Sequence, residues 1–191
     1  LLGIECYTLN THTLEKLGVI LRAGLTPTDA MHAMGDFTKY NRTASILALR
    51  FAAASLGLSP ETLCKNIYEY VEREVFYGIS KMLLEYSSDY YRNKGIDQGV
   101  QELLRMQWEA RDSGGNPLIH YLFHSPAKII GIGGPTHLFL PAAARALGAE
   151  FVIPDSAPTA NAVGAVTGKI SITATAEIRP HGCSADGEIK G

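Results

Sequence analysis

One run of chain-breaking residues, Asp112-Ser113-Gly114-Gly115-Asn116-Pro117, constrains this sequence more than any other feature. Gly, Pro and the turn-forming Asp, Ser and Asn do not let a helix or strand pass through such a stretch. The apolar residues follow different periods on its two sides. The chain is therefore predicted to divide there, into a helical subdomain over 1–113 and an α/β subdomain over 114–191.

Before the boundary the pattern is helical. Apolar positions at Leu14, Leu17, Val19, Ile20 and Leu21 predict a helix from Leu14 to Ala23, stopped by Gly24. Thr26-Pro27-Thr28-Asp29 is a helix start: Thr26 caps, Pro27 suits the first helical position, and Asp29 reaches back. That helix ends at Gly35. An Ala-rich helix from Arg42 to Leu56 ends at Gly57. Ser59-Pro60-Glu61 opens a long helix to about Tyr86, with Leu63, Ile67, Tyr70, Val71, Val75, Gly78 and Met82 as its apolar stripe. Glu61 with Lys65 and Glu69 with Arg73 are spaced i,i+4 on its wet face, about 0.2–0.5 kcal/mol per pair. Asp97 to Arg111 is a further helix, with Val100, Leu103, Leu104 and Trp108 inward.

After the boundary, Lys128 to Ile132 is a short continuous apolar run, as in a strand buried on both faces. Gly133-Gly134-Pro135 turns the chain, and a helix follows from Leu138 to Leu147, closed by Gly148. Phe151-Val152-Ile153 is a second buried strand, stopped by Pro154. Small residues from Thr159 to Gly168 form a helix. From Ile170 to Arg179 apolar and polar residues alternate, the mark of a half-buried strand. The order β-α-β-α-β defines an α/β layer.

Composition narrows the function. Hydrophobic residues make up 46% of the chain, enough for a sizeable core. Lys and Arg number 17 against 19 Asp and Glu, so no basic excess favours nucleic acid. The three cysteines, Cys6, Cys64 and Cys183, form no disulfide framework and are expected as reduced thiols in a cytoplasmic protein. No apolar run approaches the roughly 18 residues of a membrane span, and the first residues lack a signal-peptide pattern. The start at Leu1-Leu2 without Met leads us to expect a piece of a longer polypeptide.

The strongest candidate for chemistry is the turn Gly131-Ile132-Gly133-Gly134-Pro135-Thr136. Ligands favour the carboxyl edge of parallel sheets, helix N-termini offer free N–H groups, and glycines admit a flat ring or a phosphate. A tight turn without a ligand also uses glycines. It is neither a P-loop, because no Gly-Lys-Ser/Thr follows, nor a full dinucleotide fingerprint. Ala160, Gly164 and Gly168 fall on one helix face, which either packs closely or backs a ligand site. His137 lies in the first turn after the glycines and points at a ligand or at solvent. His120 and His124 are spaced as zinc ligands can be, without an acidic third ligand, and no metal site is expected there or at His181 and Cys183. Cys64 reads as a buried small hydrophobe. Asp29, Asp36 and Asp155 read as isolated caps. No catalytic constellation is assignable.

Several of these segments resemble hydantoinase A/5-oxoprolinase proteins. They are Ile129-Ile130-Gly131-Ile132-Gly133-Gly134-Pro135, then Leu147-Gly148-Ala149, Phe151-Val152-Ile153-Pro154 and Ala160-Asn161-Ala162-Val163-Gly164-Ala165. Leu25 to Ala30 and Leu56 to Glu61 resemble the helical part of the same proteins, and the likeness runs from about residue 14 to 180, in order.

The resemblance implies an actin-like ATPase fold of ribonuclease H type. It also implies an ATP-dependent enzyme that opens cyclic amides such as hydantoins or 5-oxoproline, related subunits serving acetone- or acetophenone-type carboxylases. Carried over, Gly131, Gly133 and Gly134 lie against the base and ribose of ATP, with Pro135 and Thr136 beside them; His137, from the reading of the turn itself, is counted with this site. Asn161 and Gly164 sit on the helix that closes the nucleotide cleft. The sequence departs from the family where phosphate is bound: no Asp-Gly-Gly-Thr-like segment occurs. Mg²⁺ and the catalytic groups are therefore expected only in the complete parent, and the piece alone is expected to be inactive. The expected partners are nucleotide, the missing N-terminal half and a second hydantoinase-type subunit, with no nucleic acid and no membrane. The rival expectation is a non-catalytic scaffold or interaction module.

Overall fold

The computed structural model describes residues 11–19, 24–111, 118–119 and 121–168. The first half is helical: α1 (His12–Lys16), α2 (Pro27–Met34), α3 (Arg42–Leu56), α4 (Pro60–Ser87), α5 (Asp89–Lys94) and α6 (Gln98–Ala110). The second half is β1 (Ile129–Ile130), α7 (Thr136–Ala146), β2 (Phe151–Val152), a 3₁₀ turn (Ala157–Thr159) and α8 (Ala160–Thr167). The strands run parallel, Ile129 opposite Phe151 and Ile130 opposite Val152. The chain thus combines many helices with a small parallel sheet.

Local chemistry sets the helix starts. Thr26 and Asp29 form a reciprocal capping box on α2, with Pro27 at its first position. Asn41, Ser59 and Asp97 each accept a first-turn N–H with their side chains. Gly35 and Gly57 close α2 and α3 in the left-handed region. α1 is shorter than expected, because Gly18 turns the chain at φ 69°; residues 20–23 of that expected helix lie outside the described residues. The short α5, held by an Arg92 to Asp89 pair at 2.8 Å, was not anticipated.

α4 organises the core. Its inward residues are spaced by multiples of four: Leu63 and Cys64, Ile67 and Tyr68, then, eight further on, Val75 and Phe76. Each step of four rotates the buried line by about 40°. Between Cys64 and Phe76 the accumulated turn is about 120°, so the two ends of α4 face different neighbours. Leu63 and Cys64 join Ala30, Leu49 and Ala53 of α2 and α3 in one cluster. Phe76 joins Leu104, Trp108, Ala143, Ala146 and Leu147 of α6, α7 and its end in another. This rotation corrects the expected stripe: Tyr70, Gly78 and Met82 point outward. Leu103 is likewise more exposed than expected, while Leu104 and Trp108 are buried. Glu69 pairs with Arg111 at 3.5 Å and Arg73 lies near Glu74 at 3.8 Å, in place of the expected Glu69–Arg73 pair.

The sheet departs from expectation too. Neither strand is buried on both faces: Ile130 is 63% exposed and Val152 40%. Among the described residues only one face carries a helix, since Ile129 packs on the Phe76–Trp108 cluster while Ile130 and Val152 face away. The expected strand over 170–179 lies outside the described residues. α8 is exposed along residues 161–168, so of its small-residue face Ala160 is half-buried while Gly164 and Gly168 meet no other element among the described residues. No single described helix is long and apolar enough to cross a membrane.

Two predictions follow from this packing. The Trp108 indole N–H is buried and without a hydrogen-bond partner among the described residues. Trp108→Ala is expected to cost about 3–5 kcal/mol by chemical denaturation. Trp108→Phe is expected to cost far less, because it also removes the orphan donor. At Asp29, burial pushes the carboxyl up, but bonds from Ser45 and from the hydroxyl and N–H of Thr26 outweigh it and leave the group below its ordinary value. A lowered native value means stability that is present above the unfolded-chain value, about 3.9, and lost as the pH falls through the native one. Asp29→Asn is expected to flatten the acid limb of a stability–pH curve.

Candidate functional site

The glycine-rich turn sits where β1 hands over to α7. Gly131 extends the sheet, its N–H donating to Val152 O at 2.9 Å. The chain then bends, with Gly133 at φ 107°, a conformation open in practice to glycine. The Gly133 N–H donates to Ala157 O at 2.7 Å, which ties the bend to the 3₁₀ turn. Thr136 Oγ1 donates to Gly133 O at 3.0 Å. His137 Nδ1 lies 3.1 Å from Gly134 O, so that nitrogen carries the hydrogen. Pro135 precedes α7 and offers no side-chain cap.

The three glycines do different work. A Cβ on Gly131 would stand 2.7 Å from Leu140 Cδ2, 3.2 Å from Ile153 Cγ1 and 3.3 Å from Thr136 Cβ. Gly131 is a buried packing glycine that lets α7 close on the sheet. At Gly133 and Gly134 a Cβ would meet nothing within 4 Å. The second part of the turn is bare backbone facing open space.

α8 is joined to the turn through Ala157, whose carbonyl receives the Gly133 N–H. Asn161 lies four residues further on, in the first turn of α8. The structure thus gathers Gly131, Gly133, Gly134, Pro135, Thr136 and His137 in one bend and tethers the start of α8 to it. Asn161, Gly164 and His137 are all exposed.

Cys64, Asp36 and His124 have structural places. Cys64 is buried, and burial pushes its thiol up, away from the thiolate. Asp36 accepts the Tyr68 hydroxyl at 2.6 Å; burial and that bond raise the Tyr68 phenol far above its ordinary value. The His124 ring lies over Gly148, where a Cβ would come 2.5 Å from Nδ1. No cluster of three or more metal-ligating side chains occurs among the described residues. Cys6, His120, His181 and Cys183 lie outside them. Open cavities of about 210, 270 and 300 Å³ are lined mainly by α4 side chains and not by the glycine turn.

Gln107 escaped the sequence reading. It is buried, its Nε2 donating to Ala146 O at 2.7 Å and Phe123 O at 3.1 Å, its Oε1 accepting the Phe123 N–H at 2.7 Å. A signal existed: Leu104, Gln107 and Trp108 share the i, i+3, i+4 face of α6, so a polar residue stood at a core position.

Searches against protein-family models, curated proteins and solved structures return no match to this chain.

The glycine geometry makes a ranked prediction. Gly131→Ala is expected to destabilise by about 1–3 kcal/mol through overpacking. Gly133→Ala is expected to cost about 1–2 kcal/mol through its positive φ. Gly134→Ala is expected to be nearly neutral, all three read by urea denaturation.

Proposed function

We propose that this chain is the C-terminal part of an ATP-dependent hydrolase that opens cyclic amides of the hydantoin or 5-oxoproline type. In this reading it has an actin-like, ribonuclease H-like fold and supplies part of the adenosine site. The observation that carries the reading is the open backbone at Gly133 and Gly134, at the carboxyl end of a parallel strand and just before α7. A purine or ribose lies against such backbone without meeting a side chain. The Gly133–Ala157 bond, which tethers the start of α8 to the bend, supports a role for Asn161 and Gly164 beside it. Pro135, Thr136 and His137 stand beside it, and Gly131 sets the depth of the bend from behind. Phosphate and Mg²⁺ belong, on this reading, to Asp-Gly-Gly-Thr-type segments of an upstream half. No catalytic residue is assigned in this chain. The partners are that half and a second hydantoinase-type subunit, in the cytoplasm; an ATP-dependent carboxylase subunit would use the nucleotide in the same way.

A second reading, a non-catalytic scaffold, is favoured by one feature. The polar groups of the turn are spent internally, Gly133 N–H on Ala157 and Thr136 and His137 on glycine carbonyls.

ATP titration followed by amide shifts separates the two. Shifts confined to Gly133, Gly134 and the first turn of α7 are expected. Gly134→Val, which fills the open space, is expected to weaken them at least about tenfold while the chain stays folded. A titration to millimolar ATP that moves no amide of the turn favours the scaffold. The enzyme class is tested on the chain joined to its upstream half, by ATP hydrolysis dependent on a hydantoin or 5-oxoproline. A folded joined chain without that activity counts against it.

A further inference from the structure

Away from the glycine turn, α2 holds a histidine whose protonation state is set by its surroundings. His32 is 1% exposed. The Phe37 ring meets it edge-on at 5.0 Å and the Tyr40 ring lies at 5.6 Å. Its Nδ1 is 2.7 Å from the Thr28 carbonyl oxygen. A carbonyl only accepts, so Nδ1 carries the hydrogen. The Tyr40 N–H donates to Nε2 at 2.9 Å, so Nε2 presents its lone pair. The ring is the neutral Nδ1–H tautomer, fixed by backbone on both sides. Nε2 is the one place a second proton can go.

We propose that His32 is a proton-operated latch on residues 35–41, the connection between α2 and α3. A proton from solvent on Nε2 turns the acceptor of the Tyr40 N–H into a donor. Two N–H groups then face each other, and the middle of the connection leaves α2.

The ends of the connection are tied independently. Gly35, Asp36 and Phe37 donate to Met31 O at 2.9, 3.0 and 3.4 Å, and Arg42 Nη2 reaches Ala33 O at 3.2 Å. Opening is therefore confined to residues 38–41, the stretch carrying Lys39 and Tyr40. The surrounding charges do not replace the lost bond. Asp29, one turn earlier on α2, favours a charged ring, but its oxygens are engaged by Thr26 and Ser45. Asp36 is engaged by the Tyr68 hydroxyl of α4. Lys39, over the Tyr40 ring, and Arg42 are cations and oppose a further positive charge. Cys64, on the α4 face packed against α2, stays a neutral thiol.

The test uses the full chain labelled with ¹⁵N, between pH 8 and pH 5. Ring-nitrogen shifts of His32 and amide exchange of Tyr40, corrected for intrinsic exchange, are followed together. At pH 8 a protonated Nδ1, a bare Nε2 and a protected Tyr40 amide are expected. By pH 5 both ring nitrogens are protonated and Tyr40 protection has fallen about tenfold or more, the scale of one lost buried hydrogen bond. The two transitions share a midpoint, while Trp108 fluorescence reports an intact fold. In His32→Gln the side-chain oxygen accepts without titrating, so Tyr40 protection is expected to stay level. If that variant does not fold, the coincidence of the two wild-type transitions decides. The latch is overturned by an Nε2–H tautomer at pH 8, by a ring still neutral at pH 5 in the folded chain, or by ring protonation that leaves the Tyr40 amide protected.

Discussion

The second half of the molecule depends on the side-chain amide of Gln107. Three of its four hydrogen-bonding positions are satisfied by backbone, two at Phe123 and one at Ala146. A buried amide left without such partners would cost several kcal/mol; with them it fixes position in a way apolar contact does not. From this anchor a ladder of backbone bonds runs outward. Ser125 donates to Leu147, Ile129 to Glu150, Gly131 to Val152 and Gly133 to Ala157. Each bond sets the register of the next. The sheet has only two residues per strand, too little to hold itself. It is placed by the helical half, and the bend at Gly133 is the last rung.

The helical half is arranged by the geometry of one long helix. Because α4 buries residues spaced by multiples of four, its inward face rotates along its length. One end serves α2 and α3, the other α6 and α7. Tyr68 stands between these regions, its ring edge-on to Phe139 of α7 at 5.3 Å and its hydroxyl on Asp36 beyond α2. A single side chain thus touches both packing systems through different chemistry.

Much of the helical architecture was legible in the sequence because its signals are local. Thr26-Pro27-Thr28-Asp29, Ser59-Pro60 and Gly57 state starts and stops through groups a few residues apart, and the structure uses each of them. The stripe on α4 was misread at Tyr70, Gly78 and Met82 because a mixed three-and-four spacing looks continuous, while burial depends on which neighbour lies opposite. The two strands among the described residues were placed correctly, but burial on both faces was inferred from their apolar runs. That inference needs a second covering layer, a long-range fact no run encodes. At the candidate site the tight bend was visible in its glycines. That Gly131 packs inward while Gly133 and Gly134 stay open depends on Leu140 and Ile153, which approach from other elements.

The rotation of α4 has a consequence for how the protein opens. Two apolar clusters on different faces of one helix share few contacts besides that helix, so each is a candidate cooperative unit with its own opening free energy. The α2–α3 cap, the smaller and closed partly by polar bonds, is the natural first unit to exchange with solvent. Subglobal excursions there leave Phe76 and Trp108 shielded. The chain is thereby built as a stable keel carrying a lighter hatch.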